Sequence, residues 1–183
     1  MFNKLKKMFG LDENEQQTST QSSAPTKESV KEVAIKAPLT GEIHPLSEVP
    51  DPVFAEKMMG DGFAITPSEG VVVSPFDGEI VQVFHTKHAI GIRSKEGVEI
   101  LIHVGLETVK LNGEGFDAHV TEGQNVNAGD HLLTFNIDYI KENAKSTITP
   151  VIFTNGADVL ENIKVTATGT VQKGTDAAAV TLK

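Results

Sequence analysis

The sequence predicts an all-β protein: a sandwich or barrel with frequent turns and short helical turns. Three observations carry this. From residue 34 to residue 183, short apolar runs rich in Val, Ile and Thr alternate with Gly, Asp and Asn. Aromatic residues make up only 5% and tryptophan is absent, so the core must be aliphatic. No long amphipathic helix can be written after residue 34. Helical turns are expected only around Phe54–Met58, after Pro50-Asp51-Pro52, and around Ile137–Ala144, with Asp138 as the cap.

The N-terminal 33 residues are set apart from the domain at 34–183. Within residues 1–10, Phe2, Leu5, Met8 and Phe9 fall at helical spacing with Lys4, Lys6 and Lys7 between them. This is either a small basic amphipathic helix for an anionic membrane surface or a frayed soluble terminus. Residues 12–33 are rich in Gln, Ser, Thr, Glu and Lys and read as a flexible linker.

Further along, Pro38-Leu39-Thr40-Gly41-Glu42-Ile43 is echoed by Pro75-Phe76-Asp77-Gly78-Glu79-Ile80. A second echo aligns Gly123-Gln124-Asn125-Val126 with Gly169-Thr170-Val171-Gln172. Each Pro-x-x-Gly-x-Ile piece reads as a turn feeding a strand. Two related β units packed together would explain the pattern, as would common turn chemistry.

The chain of 183 residues is long enough for one well-buried domain plus a tail. Its net charge of −9 argues against a nucleic-acid partner, which needs basic stripes. With no cysteine there are no disulfides and no thiolate metal ligands. No apolar run approaches the ~20 residues of a membrane span. A cytoplasmic protein is the expectation.

Between the echoes lie two histidine stretches. Glu99-Ile100-Leu101-Ile102-His103-Val104-Gly105 places one imidazole inside an aliphatic strand, where burial is costly unless the ring has partners. His85-Thr86-Lys87-His88 places another at the start of the preceding strand, and Ser94-Lys95-Glu96-Gly97 reads as the turn joining the two. With Ser94 opposite Gly97, His88 lies directly across from His103, with Cβ atoms roughly 4.5–5.5 Å apart. A three-residue loop with Gly97 as a bulge shifts the pairing by one and turns the rings to opposite faces. We expect the facing pair, because Lys95 and Glu96 suit an exposed tip.

Neutral imidazole is a nucleophile toward phosphorus when a backbone carbonyl holds its other nitrogen as N–H. A second imidazole can donate to a phosphoryl oxygen. Thr86 can orient His88, and Gly105 can bring a carbonyl close to His103 because it lacks Cβ. Taken alone, His103 can equally be a satisfied core histidine and His88 an ordinary surface residue. Paired histidines also suit zinc, but a zinc hydrolase wants a third ligand and a carboxylate base, and neither His-x-His nor His-Glu-x-x-His occurs. No metal is assigned. His44, His119 and His131 lie in turn-like contexts and receive no role.

Thr86-Lys87-His88-Ala89-Ile90 and Ile102-His103-Val104-Gly105-Leu106-Glu107-Thr108-Val109 resemble the two histidine motifs of the glucose-class IIA proteins of the bacterial phosphoenolpyruvate-dependent sugar phosphotransferase system. Ala37–Gly41, Val49–Lys57, Gly60-Asp61-Gly62, Leu111–Phe116 and Ala144–Pro150 resemble the same family in the same order, from about Ala34 to the C-terminus. The resemblance implies a small antiparallel β sandwich or flattened barrel of the duplicated hybrid-motif type, and a phosphotransferase component in which His103 takes a phosphoryl group, at Nε2, from the phosphocarrier HPr. The group then passes to a cysteine of a IIB domain for sugar uptake and phosphorylation. No cofactor is implied beyond the phosphate carried covalently on His103. By the same resemblance His88 stabilises that group, Thr86 orients His88, and the Gly105 carbonyl holds Nδ1 of His103.

Docking in the family uses a shallow apolar ring with an acidic rim. Here the ring would be Val53, Phe54, Met58, Met59, Phe84, Leu101 and Val109, and the rim Asp51 and Glu107. Glu107 stands where aspartate is common, Leu101 where an aromatic is common and Pro52 where an aliphatic is common. These departures bear on partner preference and leave both histidines intact. The chain is expected to be a monomeric, free-standing IIA, with regulatory proteins as further partners of the same face. The competing classes are a zinc peptidase, a biotin or lipoyl carrier, whose strand–turn pieces resemble Pro75–Ile80 and Gly123–Asp130, and a non-enzymatic regulator that binds other proteins through the same apolar face. The missing third ligand weighs against the first, and the missing exposed tip lysine against the second.

Overall fold

A computed structural model describes residues 31–183. The amphipathic stretch expected at residues 1–10 and nearly all of the expected linker lie outside the described residues. The described residues form fourteen strands, labelled here in order: β1 (Glu32–Lys36), β2 (Gly41–Pro45), β3 (Gly62–Pro67), β4 (Val71–Val73), β5 (Gly78–Val83), β6 (Ala89–Ser94), β7 (Glu99–His103), β8 (Phe116–Ala118), β9 (Asn125–Val126), β10 (His131–Phe135), β11 (Thr149–Phe153), β12 (Leu160–Val165), β13 (Thr170–Val171) and β14 (Asp176–Leu182). Short helices are α1 (Pro52–Ala55), α2 (Ile137–Asn143) and α3 (Gly156–Val159). Glu32 and Val33 belong to β1, so the strands of the domain start before Ala34, and Val33 is buried in the core.

An eight-stranded antiparallel sheet runs β9-β5-β6-β7-β11-β3-β2-β13, and two three-stranded sheets, β4-β10-β8 and β12-β14-β1, complete the sandwich. The ends of the large sheet do not pair, so it stays open. Its central strands are buried nearly throughout, β11 along its whole length, which explains their continuous apolar runs. Its outer strand β5 alternates less cleanly and keeps one buried anchor, Ile80.

The echo in the sequence is a repeat in space. β2 and β5 each begin at a glycine and occupy equivalent places near opposite ends of the large sheet. A Cβ on Gly41 would stand 2.0 Å from the Thr66 carbonyl oxygen, and one on Gly78 would stand 2.1 Å from that of Arg93. Only glycine allows either approach. Outside these strands the hydrogen bonds repeat as well. Gly129 N–H donates to Ser74 O (2.8 Å) and Ser74 N–H to Asp130 O (2.9 Å), while Gly174 N–H donates to Ala37 O (2.8 Å) and Ala37 N–H to Thr175 O (2.7 Å). The Asp77 carboxylate accepts from Ala128 N–H at 2.8 Å, and the Thr40 hydroxyl accepts from Lys173 N–H at 3.0 Å. The second echo needs one correction. Val126 pairs with Gly78 and Val171 with Gly41, so Val126 matches Val171 and the expected alignment is off by one residue.

The helical turns also differ in detail. α1 begins earlier than expected, with Asp51 accepting the Val53 N–H at 3.0 Å as its cap. α2 is capped by Asn136, whose side chain accepts from Tyr139 N–H at 3.0 Å, and not by Asp138. Asp138 sits inside the first turn, where a carboxylate favours the helix dipole instead.

Candidate functional site

The β6–β7 hairpin takes the register of the three-residue loop, not that of the facing pair. Ala89, not His88, lies opposite His103. Gly97 takes φ +97, Ser94 N–H bonds Val98 O at 2.8 Å, and the loop holds three residues. A glycine with positive φ closes such a loop more readily than a two-residue turn of Lys and Glu would.

The rings meet all the same, with centroids 4.8 Å apart and planes at 82°. The reason is local. β6 starts only at Ala89, and Lys87 just before His88 has φ +60. The pleat therefore stops short of His88, and strict alternation of faces does not reach it. Val104 N–H bonds the His88 carbonyl at 2.7 Å and anchors the backbone at this point.

His103 Nδ1 lies 2.9 Å from the Gly105 carbonyl oxygen. A carbonyl only accepts, so Nδ1 carries the hydrogen and Nε2 keeps its lone pair. Gly105 has φ +76, and a Cβ there would meet Thr108 Cγ2 at 2.7 Å and Ser146 O at 2.8 Å. Thr108 is buried and its hydroxyl donates to Val104 O at 2.7 Å, while Leu106 N–H bonds Ser146 O at 2.9 Å. The carbonyl that fixes the tautomer is thus held from both sides.

His88 is almost fully buried, with 4% of its surface exposed. Its Nδ1 is 2.6 Å from Thr86 Oγ1, and Phe84 packs edge-on at a ring distance of 5.4 Å. Burial, and next the neighbouring His103, pushes its pKa down to about 4. Burial also lowers that of His103, against the opposing pull of the Gly105 carbonyl, its own carbonyl and the Asp51 carboxylate. Both rings are neutral at pH 7, which is the state a nucleophile and a hydrogen-bond donor require.

The expected docking residues divide into two sets. Met58 is 69% exposed, Val109 54%, and Val53 and Met59 39% each. Glu107 is exposed as well, and Asp51 and Phe84 are half-buried. Phe54 and Leu101 are buried and do not line the surface; Phe54 packs its ring 5.0 Å from that of His103. They underlie the face as part of a small cluster with Leu46, Val49, Ala89, Leu106 and Ile152. The α1 turn points Phe54 inward and leaves Val53 outside, an orientation that the apolar pattern of four residues does not determine.

Lys145 was missed as a support. Its Nζ donates to the Pro50 carbonyl at 2.8 Å, and its own N–H bonds Leu106 O at 3.2 Å. It ties the α1 entry to the segment that carries Gly105. A lone lysine in a polar stretch has no local pattern that would reveal this. A cleft of about 420 Å³ lies elsewhere, lined among others by Ile43, His44, Leu46 and Val165, and neither histidine of the pair borders it.

Residues 33–159 match the family model described as phosphoenolpyruvate-dependent sugar phosphotransferase system, EIIA 1. The chain is 58% identical over 180 residues to a protein named PTS system glucose-specific EIIA component from Bacillus anthracis, covering 98% of this chain and 99% of that one. A Bacillus cereus protein of the same name is 57% identical over 180 residues, with the same coverage. Among solved structures, glucose permease IIA from Mycoplasma capricolum superimposes with a TM-score of 0.75 at 45% identity, covering 81% of this chain and 96% of that one. The chain belongs to the EIIA 1 family of the phosphoenolpyruvate-dependent sugar phosphotransferase system.

Proposed function

We propose that the protein is a cytoplasmic phosphoryl carrier for glucose uptake, charged by phospho-HPr on His103 Nε2 and discharged to a cysteine of a IIB domain. One observation carries the reading: the Gly105 carbonyl fixes Nδ1–H of His103, so that Nε2 is the free nucleophilic nitrogen beside a second neutral imidazole. In charging, the His103 Nε2 lone pair attacks phosphorus and the N–P bond to the carrier histidine breaks. His103 keeps its Nδ1 proton throughout. In discharge a cysteine thiolate attacks phosphorus, and the Nε2–P bond breaks to restore the lone pair.

Such transfer depends on positioning and charge stabilisation more than on further covalent help. When the Thr86 hydroxyl donates to Nδ1 of His88, the proton of that ring sits on Nε2 and is available to a phosphoryl oxygen. The exposed Val53, Met58, Met59 and Val109 supply apolar contact for HPr and IIB, with Asp51 and Glu107 at the edge. The names of the relatives support glucose as the sugar.

The test is incubation with phosphoenolpyruvate, the general phosphotransferase enzyme and HPr, followed by mass spectrometry. Acid-labile phosphate is expected on His103 alone and absent from a His103→Ala variant. Full phosphorylation of that variant would overturn the assignment. Adding a set of IIB domains then identifies the acceptor and, through it, the sugar.

A further inference from the structure

A second histidine pair stands on a different sheet. His119 follows β8 and His131 opens β10, and both are exposed. Strand pairing brings them together: Ala118 lies opposite Leu133, and His119 N–H bonds Leu132 O at 2.9 Å. The rings approach to 4.4 Å between centroids at 45°. Both Nε2 atoms converge on one oxygen, Thr134 Oγ1, at 2.8 Å from His119 and 3.0 Å from His131.

That convergence has a chemical consequence. A hydroxyl has one hydrogen, so it donates to one imidazole and accepts Nε2–H from the other. One ring therefore already offers its lone pair toward the shared point. The other needs only a shift of its proton from Nε2 to Nδ1, exchanged through solvent with no net proton released. Once the Thr134 hydroxyl turns aside about its Cα–Cβ bond, both lone pairs are free and the pair presents two nitrogen ligands on adjacent strands, held in place by backbone pairing.

We propose that His119 and His131 form a two-imidazole binding site for a divalent transition-metal cation, copper first, with nickel and zinc behind it. Imidazole suits these metals, while magnesium and calcium prefer oxygen ligands. No group of three or more His, Cys, Asp or Glu side chains suited to a metal occurs among the described residues. With two imidazoles from the chain, water would complete the coordination, which makes the proposed site open and exchangeable, unlike a closed structural zinc centre. It shares no side chain with the His88–His103 pair and does not depend on the phosphoryl-carrier reading.

The test is titration of the 15N-labelled full chain with Cu²⁺, read by amide line broadening. Substoichiometric Cu²⁺ should broaden residues 117–120 and 131–135, and Mg²⁺ should not. His119→Gln or His131→Gln should weaken the broadening there at least about tenfold, the low end of what losing even an outer-shell partner costs. Sharp signals around Thr134 while those around His88 and His103 broaden would overturn the proposal. So would an unchanged pattern in the His119→Gln variant. Both substitutions are on the surface, and unperturbed signals elsewhere report that the fold is intact.

Discussion

The two halves of the large sheet share one backbone plan and differ in what they place on it. In one half Ala89 lies opposite His103, and Val104 N–H bonds the His88 carbonyl at 2.7 Å. In the other half Gly62 lies opposite Ile152, and Phe153 N–H bonds the Asp61 carbonyl at 2.8 Å. Asp61 and Ile152 thus occupy the places of His88 and His103. Even the left-handed residue recurs, as Lys87 at φ +60 and Gly60 at φ +130. The two halves part just beyond. The histidine-bearing half turns at Gly105 and aims a carbonyl back at His103, whereas Thr154 runs on and bonds Glu99 O at 3.0 Å. The duplicated scaffold sets where two side chains meet, and the turn after the strand decides whether a ring placed there has a fixed tautomer.

The largest effect expected from disturbing this asymmetry is at His88. His88→Gln keeps a donor but cannot become a cation. The variant should still accept phosphate from HPr, while onward transfer falls about 100-fold, as when a preorganised group that meets charge developing in the transition state is replaced by one that does not hold its place. Rapid-quench measurement of the two half-reactions separates them, and unchanged onward transfer would remove His88 from the mechanism. The variant also has a pH signature. The His88 pKa is lower folded than unfolded, so its stabilising contribution is complete above about 6.5 and is lost as pH falls toward about 4. Over that window urea denaturation of His88→Gln should vary less with pH than that of the native protein.

Next in size is Gly105→Ala. The positive φ and the close approaches of Ser146 O and Thr108 Cγ2 act together there, and a loss of about 2–3 kcal/mol is expected. Gly97→Ala is the control. It is also strained, at φ +97, but nothing lies within 4 Å of its added Cβ, and it should lose only about 1 kcal/mol. Equal losses in urea denaturation would mean that φ alone matters and that the cradle around Gly105 is loose.

How far the sequence reveals this follows from the same residues. Central strands are legible because they are continuous aliphatic runs, and the site is legible because His103 interrupts one of them. The register is not, since both loop lengths satisfy the apolar pattern and the choice rests on the left-handed conformation of Gly97. That the rings meet despite the register depends on Lys87, a residue with no general preference for positive φ. Phe54 looked like an exposed anchor because the face a single helical turn buries is set by what packs against it. The echo was visible, but aligning on glycines put it one residue out; the inward valines, Val126 and Val171, are the better guide.

The burial of Phe54 changes the choice of probe for the docking face. Phe54→Ser opens a cavity beside His103, so a loss of stability of roughly 3–5 kcal/mol would obscure any effect on binding. Val109→Ser touches exposed surface only and should leave stability nearly unchanged. As a central anchor worth about 2 kcal/mol, Val109 should weaken HPr binding at least about tenfold when replaced. Calorimetric titration with HPr checks this, and a normal affinity would move the interface away from Val109.

The smallest effect expected is at Glu107, on the same rim. Its carboxylate is exposed and pairs with Lys110, 3.8 Å away and also exposed. Such a pair contributes little to folding, so Glu107→Lys should leave stability within about 0.5 kcal/mol. Its charge should act earlier, on encounter with a partner of opposite sign. Reversal should slow association with HPr at low salt and leave dissociation nearly unchanged. Raising the salt should bring the two association rates together, because the Debye length contracts to about 3 Å at 1 M. Stopped-flow association at low and high salt separates this from a contact role. A faster dissociation that persists at high salt would place Glu107 inside the interface and redraw the boundary between rim and apolar face.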